Sequence, residues 1–403
     1  MDSAEFPDKT TLFRQEPSGV TYRIPALVYI HPAQTILAFA EKRSTSKDVD
    51  AEYLVMRRGL VANGSTQWQS MVPMTTAVLP GYRTMNPCPV YERESQTVFL
   101  FFTCVRLHYT EGHQILSGKN AARLCFITSK DNGTTWSQLT DLTRSVIGHD
   151  IVDWATFAVG PGHGIQLHCG RLIIPAYAYF IHRSCFSLPV PCFTKPHSLI
   201  FYSDDGGRSW HKGGVIQKLV TGECEVAELA CSDGTCQLYC SARTGKRCRA
   251  EAISQDSGGD FRESYMCKAL CEPPHGCQGS IVGFLPPDEY QEEENSIQQE
   301  EERCGKENFI RKSTLSWLIY SHPTSKKKRV DLGVYLNKSP LTHGGWTHPW
   351  IINKGPSAYS DLVTIEGYGG FGCLFECGIH NAYEQIAFRQ FSMEELMCGL
   401  LRC

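Results

Sequence analysis

No stretch of this 403-residue sequence approaches the roughly 18 consecutive apolar residues that a bilayer-spanning helix requires, the best run, around residues 172–180, reaching about half of that. Insertion through a transmembrane helix is therefore not expected, and any membrane association should be peripheral. The first 16 residues include Asp2, Glu5, Asp8, Lys9 and Arg14 and no apolar core, so no signal peptide is read there and cytosolic synthesis is expected. An excess of charge of one sign is missing too: 39 Lys and Arg against 42 Asp and Glu leave a formal charge of −3, which argues against a generic nucleic-acid binder. Nor is there a CxxC pair. Cys231, Cys236 and Cys240 crowd together without a second half-site, so no zinc centre, and no other metal or cofactor, is expected. The 19 cysteines, odd in number in a large chain without a secretory leader, read as mostly buried thiols.

What is present is a globular composition, 42% hydrophobic and 11% aromatic. Three segments share one pattern, S-x-D-x-G-x-x-[W/F]: Ser129, Asp131, Gly133, Trp136; Ser203, Asp205, Gly207, Trp210; and Ser254, Asp256, Gly258, Phe261. Each follows a short β-rich run. Ser and Asp oxygens can satisfy turn N–H groups, Gly can take a positive φ, and the aromatic is expected to pack back beneath the turn. Weaker versions of the same unit recur, and reference positions Tyr53, Arg123, Leu199, Ala250, Leu332 and Ile386 are spaced on average about 67 residues apart. That period predicts about six units in one all-β domain, a six-bladed β-propeller over residues 18–392, with tails at 1–17 and 393–403. The turns themselves read as architecture and not as chemistry.

One segment stands outside the repeat. Residues 288–307 hold nine acidic and two basic residues and almost nothing apolar, within an insertion expected to be disordered over 286–313. Without those 20 residues the chain carries +4, a mildly basic body suited to anionic sugars and lipid headgroups.

Propeller loops converge on one axis, so a site there draws on residues far apart in sequence. Arg23, Arg243 and Arg329 each sit at the entry or exit of a strand-like run, and three guanidinium groups from different blades can surround one small carboxylate. Tyr22-Arg23-Ile24-Pro25 together with the repeated turns resembles the sialidase (exo-α-neuraminidase) family. The runs Phe39-Ala40-Glu41-Lys42-Arg43, Met85-Asn86-Pro87-Cys88-Pro89, Pro273-Pro274-His275-Gly276-Cys277-Gln278-Gly279 and Phe371-Gly372-Cys373-Leu374-Phe375-Glu376 are similar to those of vertebrate sialidases, above all the plasma-membrane, ganglioside-directed branch.

That resemblance implies a six-bladed propeller that hydrolyses terminal α-linked sialic acid with retention of configuration. Arg23, Arg243 and Arg329 match the triad that holds the substrate carboxylate, and Glu376 the group that buttresses Arg23. Tyr359 matches the nucleophile, Glu223 the carboxylate that deprotonates it, and Asp48 the general acid/base, with Arg43 contacting the sugar nearby. Asp50 competes with Asp48 for its role, and Glu225 and Glu228 compete with Glu223. Asn86, Glu111, Tyr177 and Tyr179 match positions that line the sugar site, the two tyrosines sharing one face of a strand. A tyrosine suits this chemistry because an ionised carboxylate nucleophile would approach the substrate carboxylate against like charge, and sialidases are a known exception to the two-carboxylate pattern.

The partners implied are sialylated glycolipids (gangliosides), with glycoproteins and oligosaccharides as further substrates, and a membrane surface, the plasma membrane first and endosomal or lysosomal membranes or the cytosol as alternatives. Two rival classes remain open at this point. A non-catalytic sialoglycan-binding propeller would keep the arginines and lose Tyr359, Glu223 and Asp48; a WD-type scaffold would end its repeats in Trp-Asp.

Overall fold

The computed structural model describes residues 9–185, 188–189, 193–287, 290, 314–367 and 369–402. Most of the insertion expected at 286–313 therefore lies outside the described residues.

Almost all the regular structure is antiparallel strand, most long runs pairing with the next long run in sequence. Four sheets of blade size follow one another along the chain. Their first strands are Thr21–Ile30, Tyr82–Glu92, Trp154–Val159 and Cys224–Ala230, and their sizes five, four, five and four strands. Apart from a two-stranded ribbon, Ser184–Cys185 with Leu188–Pro189, the remainder forms one seven-stranded sheet from Ser280–Phe284 round to Gln385–Ser392, closed by the amino-terminal strand Thr10–Arg14.

The six separate units predicted from the repeat period thus appear as four discrete sheets and one larger one, in an all-β, propeller-like arrangement. The physical reason lies in one strand, Trp350–Ile365, which is 16 residues long. Its first part pairs with Val330–Asn337 and its second part, from Ser357, with Gly370–Cys377, so hydrogen bonding runs on where a break was expected. The stretches read as tails are also partly built in: Thr10–Arg14 pairs with Gln385–Ser392, burying Leu12 and Phe13, and Met393–Leu401 is a helix capped by Ser392 and Glu395.

The three turns form as their residues require. In each, the serine hydroxyl donates to the aspartate two residues on and accepts the glycine N–H, at 2.8 and 2.9 Å for both Ser129 and Ser203 and 2.6 and 2.8 Å for Ser254. Gly133, Gly207 and Gly258 all have positive φ, 79, 86 and 92°. The aromatic, however, does not simply fold beneath its own turn. Trp136 packs edge-on to Phe39 of the first sheet, Trp210 edge-on to Phe101 of the second at 4.6 Å, and Phe261 shares a cluster with Ile200 of the third. Each aromatic therefore joins its sheet to the preceding one, since the apolar face of a twisted sheet must be covered by a neighbour. None of these turn residues lines the cavity described next.

The cysteines among the described residues are free thiols, most of them buried. Cys231 and Cys240 are buried and Cys236 half-buried within the fourth sheet.

Candidate active site

The first strand of each sheet turns one edge to a common axis, where no further strand is available to pair with it. An edge of this kind leaves backbone N–H groups that need other acceptors. Buried side chains supply them: Glu376 accepts from the Ile24 and Tyr359 N–H groups, Glu41 from Asn86, Asp361 from Leu27, and Glu225 from Ile281. The axis is thus lined by carboxylates drawn from the first, the fourth and the seven-stranded sheets.

At one end it opens into a cavity of about 890 Å³. Arg23, Arg43, Asp48, Asn86, Glu111, Tyr177, Tyr179, Glu223, Arg243, Arg329 and Tyr359 all line it, and Glu376 lies buried behind Arg23. The structure brings together every site residue read from the sequence. Asp50 does not line the cavity and instead accepts a hydrogen bond from Thr45; Glu228 faces a second cavity at the other end; Glu225 is buried in the axis. The competitors of Asp48 and Glu223 are thereby placed elsewhere.

Backbone irregularities aim several of these side chains. Register shifts fall between Arg23 and Ala26, Met85 and Cys88, and Ser357 and Ser360, so that Arg23, Asn86 and Tyr359 each sit at a bulge, a device that redirects a side chain. Ile24 has φ 62°, a left-handed conformation that costs a β-branched residue about 1–3 kcal/mol and persists only where its surroundings over-determine it. Here the Glu376 carboxylate does so. It accepts from Ile24 N at 2.9 Å, from Arg23 Nε at 2.7 Å and from Tyr359 N at 3.2 Å.

Three guanidinium groups surround the Tyr359 ring. Arg23 and Arg329 each lie 5.4 Å from its centroid, and Arg243 Nη1 donates to the Tyr359 hydroxyl at 3.0 Å and to Glu223 at 2.6 Å. Burial works against the charge on Arg23 and Arg243, but Glu376 and Glu223 respectively outweigh it, so both stay firmly protonated. The Tyr359 hydroxyl donates to Glu223 Oε1 at 2.5 Å. Burial first, and then the Glu223 charge, push its pKa well above the usual tyrosine value, while Arg243 and Arg329 pull the other way.

Across the cavity, Asp48 opens a short 3₁₀ turn, Asp48–Asp50, with its side chain largely exposed. Arg43, buried and held by two hydrogen bonds to Glu41, donates to Asp48 at 2.5 Å. Although the side chain reaches water, the surrounding cleft walls tend to raise the Asp48 pKa, but Arg43 and then Arg23 prevail and hold it below the ordinary aspartate value. Glu111 begins the helix Glu111–Ser117 at the mouth. It reaches water, yet the cleft walls, and then Glu223 and Asp48, push its carboxyl up to about 7 against the pull of Arg243. The Tyr177 and Tyr179 rings, 6.3 Å apart, share one face of Leu172–Ile181, and burial raises both hydroxyls.

Three residues stand out among the lining that the sequence reading did not name. Tyr383 stacks on the Arg23 guanidinium at 4.0 Å; Arg83 is buried and donates to the Arg106 and Tyr109 carbonyls; His275 accepts from Arg243 Nε and Nη2 through its own carbonyl at 3.0 and 2.7 Å. Arg83 lies two residues before the Met85-Asn86-Pro87 run and His275 inside another quoted motif, so proximity in sequence could have found both. Nothing in the sequence around Tyr383 marks it.

A family model described as BNR repeat-like domain matches residues 34–373. Sialidase-3 of Homo sapiens is 55% identical over 405 residues, covering 96% of this chain and 93% of that protein, and Sialidase-4 of Mus musculus is 41% identical over 461 residues, covering 98% and 95%. Among solved structures, a Hadza microbial sialidase, Hz136, superposes with a TM-score of 0.72 at 19% identity over 96% of this chain and 69% of its own. The intramolecular trans-sialidase from Ruminococcus gnavus gives 0.70 at 15% identity over 96% and 98%.

Proposed function

Given that this chain belongs to the sialidase family and is an exo-α-sialidase, a glycoside hydrolase that releases terminal sialic acid, we propose that it acts through a covalent intermediate on Tyr359. The observation that carries this reading is the 2.5 Å hydrogen bond from the Tyr359 hydroxyl to Glu223 amid three arginines. The guanidinium groups of Arg23, Arg243 and Arg329 hold the substrate carboxylate, and so fix the anomeric carbon over the tyrosine oxygen. Tyr359 Oη attacks that carbon as its proton passes to Glu223, and Asp48 gives its proton to the departing glycan oxygen. In the second half Asp48 takes a proton from water, the water oxygen replaces the tyrosine oxygen at the anomeric carbon, and Tyr359 recovers its proton from Glu223. Two inversions give net retention. None of these steps calls on a metal or a cofactor.

Asp48 must be protonated to act as an acid, and Arg43 holds it below the usual carboxylate range in the free enzyme. The rate should follow the protonated fraction of Asp48, so kcat/KM should peak at acidic pH and fall toward neutrality. Release of a fluorophore from an α-sialoside, measured with Tyr359→Phe and Asp48→Ala, tests the assignment. Full activity of Tyr359→Phe, or a rate that climbs steadily to about pH 8, would overturn it.

We take the preferred substrates to be gangliosides at a membrane surface. Exposed Lys246, Arg247, Lys326, Lys327 and Lys328 support this: their loops adjoin Arg243 and Arg329 at the cavity mouth, Arg247 donates to the Lys326 carbonyl at 3.0 Å, and none of the five forms an ion pair among the described residues. Such a rim is attracted to anionic headgroups by about 1 kcal/mol per basic residue near the surface. Ganglioside hydrolysis no faster than that of a sialylated glycoprotein would remove the glycolipid preference. We also count the seven-stranded sheet as two blades joined through Trp350–Ile365, six in all; the change of partner along that strand supports the count.

A further inference from the structure

Beneath the catalytic groups lies a second layer of polar side chains. Glu225 is two residues from Glu223 and Asp361 two from Tyr359, and both carboxylates are fully buried on the axis. Ser280 Oγ donates to Glu225 at 2.7 Å and lies 2.9 Å from Asp361, and His163 Nδ1 lies 2.7 Å from Asp361. One member of this layer reaches the backbone of Ser360, the residue after Tyr359. The Gln278 side chain, 2% exposed, accepts from Ser360 N at 3.0 Å and donates to Ser360 O at 2.9 Å. It also donates to Glu225 Oε1 at 3.2 Å and to Pro161 O at 3.3 Å.

This two-point grip falls where the strand is least supported. The register between Trp350–Ile365 and Gly370–Cys377 shifts between Ser357 and Ser360, so the ladder does not fix the height of Tyr359 along the axis. Its N–H is held by Glu376, and the next peptide groups are held by Gln278. The turn that carries Gln278 also holds two of the arginines: consecutive carbonyls, His275 O and Gly276 O, accept from Arg243 and Arg329.

We propose that Gln278 is a positioning residue for the hydrolysis, its side-chain amide setting the backbone of Ser360 and through it the placement of the Tyr359 hydroxyl against Glu223 and the anomeric carbon. The inference rests on the reading of Tyr359 as nucleophile. It assigns to Gln278 an effect on the chemical step and not on substrate capture, because Arg243 and Arg329 are gripped by backbone carbonyls that no side-chain change at Gln278 removes.

Gln278→Met keeps the bulk and removes both hydrogen bonds to Ser360. With about 1 Å of misplacement able to cost around a hundredfold, kcat should fall by roughly ten- to a hundredfold while KM stays within about threefold. Gln278→Glu supplies a second readout. When protonated, the introduced carboxyl can accept from Ser360 N and donate to Ser360 O as the amide does; when ionised it loses the donor. The charged and titratable groups around that point are Glu225 directly, Asp361 and His163 through Ser280, Glu376 on the far side of Tyr359, Arg249 on the Cys277 carbonyl, and Arg243 and Arg329 on the same turn. The kcat of Gln278→Glu relative to the parent should therefore rise as pH falls from about 7 to 4, whereas that of Gln278→Met should be depressed evenly.

Both variants are assayed well below their melting temperatures beside Tyr359→Phe. A Gln278→Met enzyme with kcat within about twofold of the parent, or one whose loss lies in KM alone, overturns the proposal. If Gln278→Met does not fold, a pH-independent ratio for Gln278→Glu overturns it instead. An active Tyr359→Phe would show that the nucleophile reading had failed; an inactive Tyr359→Phe beside an unaffected Gln278→Met would sink the positioning role alone.

Discussion

Arg43 and Glu111 show how single residues set the pH behaviour of the cavity. Arg43 keeps Asp48 below the usual carboxylate range against the raising effect of burial. Replacing it by methionine removes the positive charge, so the Asp48 pKa must rise, and the alkaline limb of kcat/KM should move to higher pH even as the overall rate drops; a limb that stays in place would show that Arg43 does not control the acid. Glu111 carries the opposite sign of shift. Held up to about 7, it is neutral below that pH and anionic above it, in a cleft that binds an anion. KM should accordingly climb as pH rises through about 7, and Glu111→Gln should flatten that climb. Equal KM profiles for parent and variant would count against the shift.

Among the elements, the turns with the Ser/Asp/Gly pattern and the turn at 273–279 have opposite duties. The former stand away from the cavity and join sheet to sheet. Trp210, 5% exposed and edge-on to both Phe99 and Phe101, should cost about 3–5 kcal/mol when cut to alanine, read as a lower denaturation midpoint, with kcat nearly unchanged in the protein that remains folded. The 273–279 turn holds two cavity arginines, Arg243 and Arg329, through the His275 and Gly276 carbonyls. Gly276 has φ 70°, and a Cβ there would lie 2.5 Å from Thr244 O and 2.8 Å from Arg243 Cγ. Gly276→Ala should therefore displace Arg243 and raise KM by roughly tenfold or more, a change visible in initial-rate kinetics. The three repeats were legible in sequence because a turn is a local event, its Ser, Asp and Gly within a few residues of one another. That their aromatics cover the preceding sheet was not legible, since the covering surface lies some 60 to 110 residues upstream, as with Trp136 on Phe39 and Trp210 on Phe101.

For the whole molecule, closure depends on the strand Thr10–Arg14, which pairs with Gln385–Ser392 and so ties one end of the chain to the other. Deleting residues 1–14 takes Leu12 and Phe13 out of the core, each worth about 1.5–3 kcal/mol, and opens a sheet edge. A lower urea midpoint and association that grows with protein concentration are expected; a truncated chain that unfolds at the parent's midpoint would show that closure lies elsewhere. On this scale the separation of charge is also notable, with the basic rim at the cavity mouth. Binding to phosphatidylserine vesicles should weaken steeply as salt rises, and more so after Lys326, Lys327 and Lys328 are changed to glutamine.

The sequence by itself determined what rests on neighbours in the chain: the hairpin turns, their period, the all-β class, and the residue types around Arg23, Glu223, Tyr359 and Glu376 that carry the family likeness. The tertiary structure decided what rests on distance in space. It merged two expected units into one sheet, because a single 16-residue strand serves both; it separated Asp48 from Asp50 and Glu223 from Glu225, because Asp50 turns to Thr45 and Glu225 lies buried deeper along the axis; and it set Gln278 beneath Tyr359. Strand edges facing an axis must find their hydrogen bonds in side chains from other sheets, and which side chain meets which edge is fixed only when all the sheets are in place.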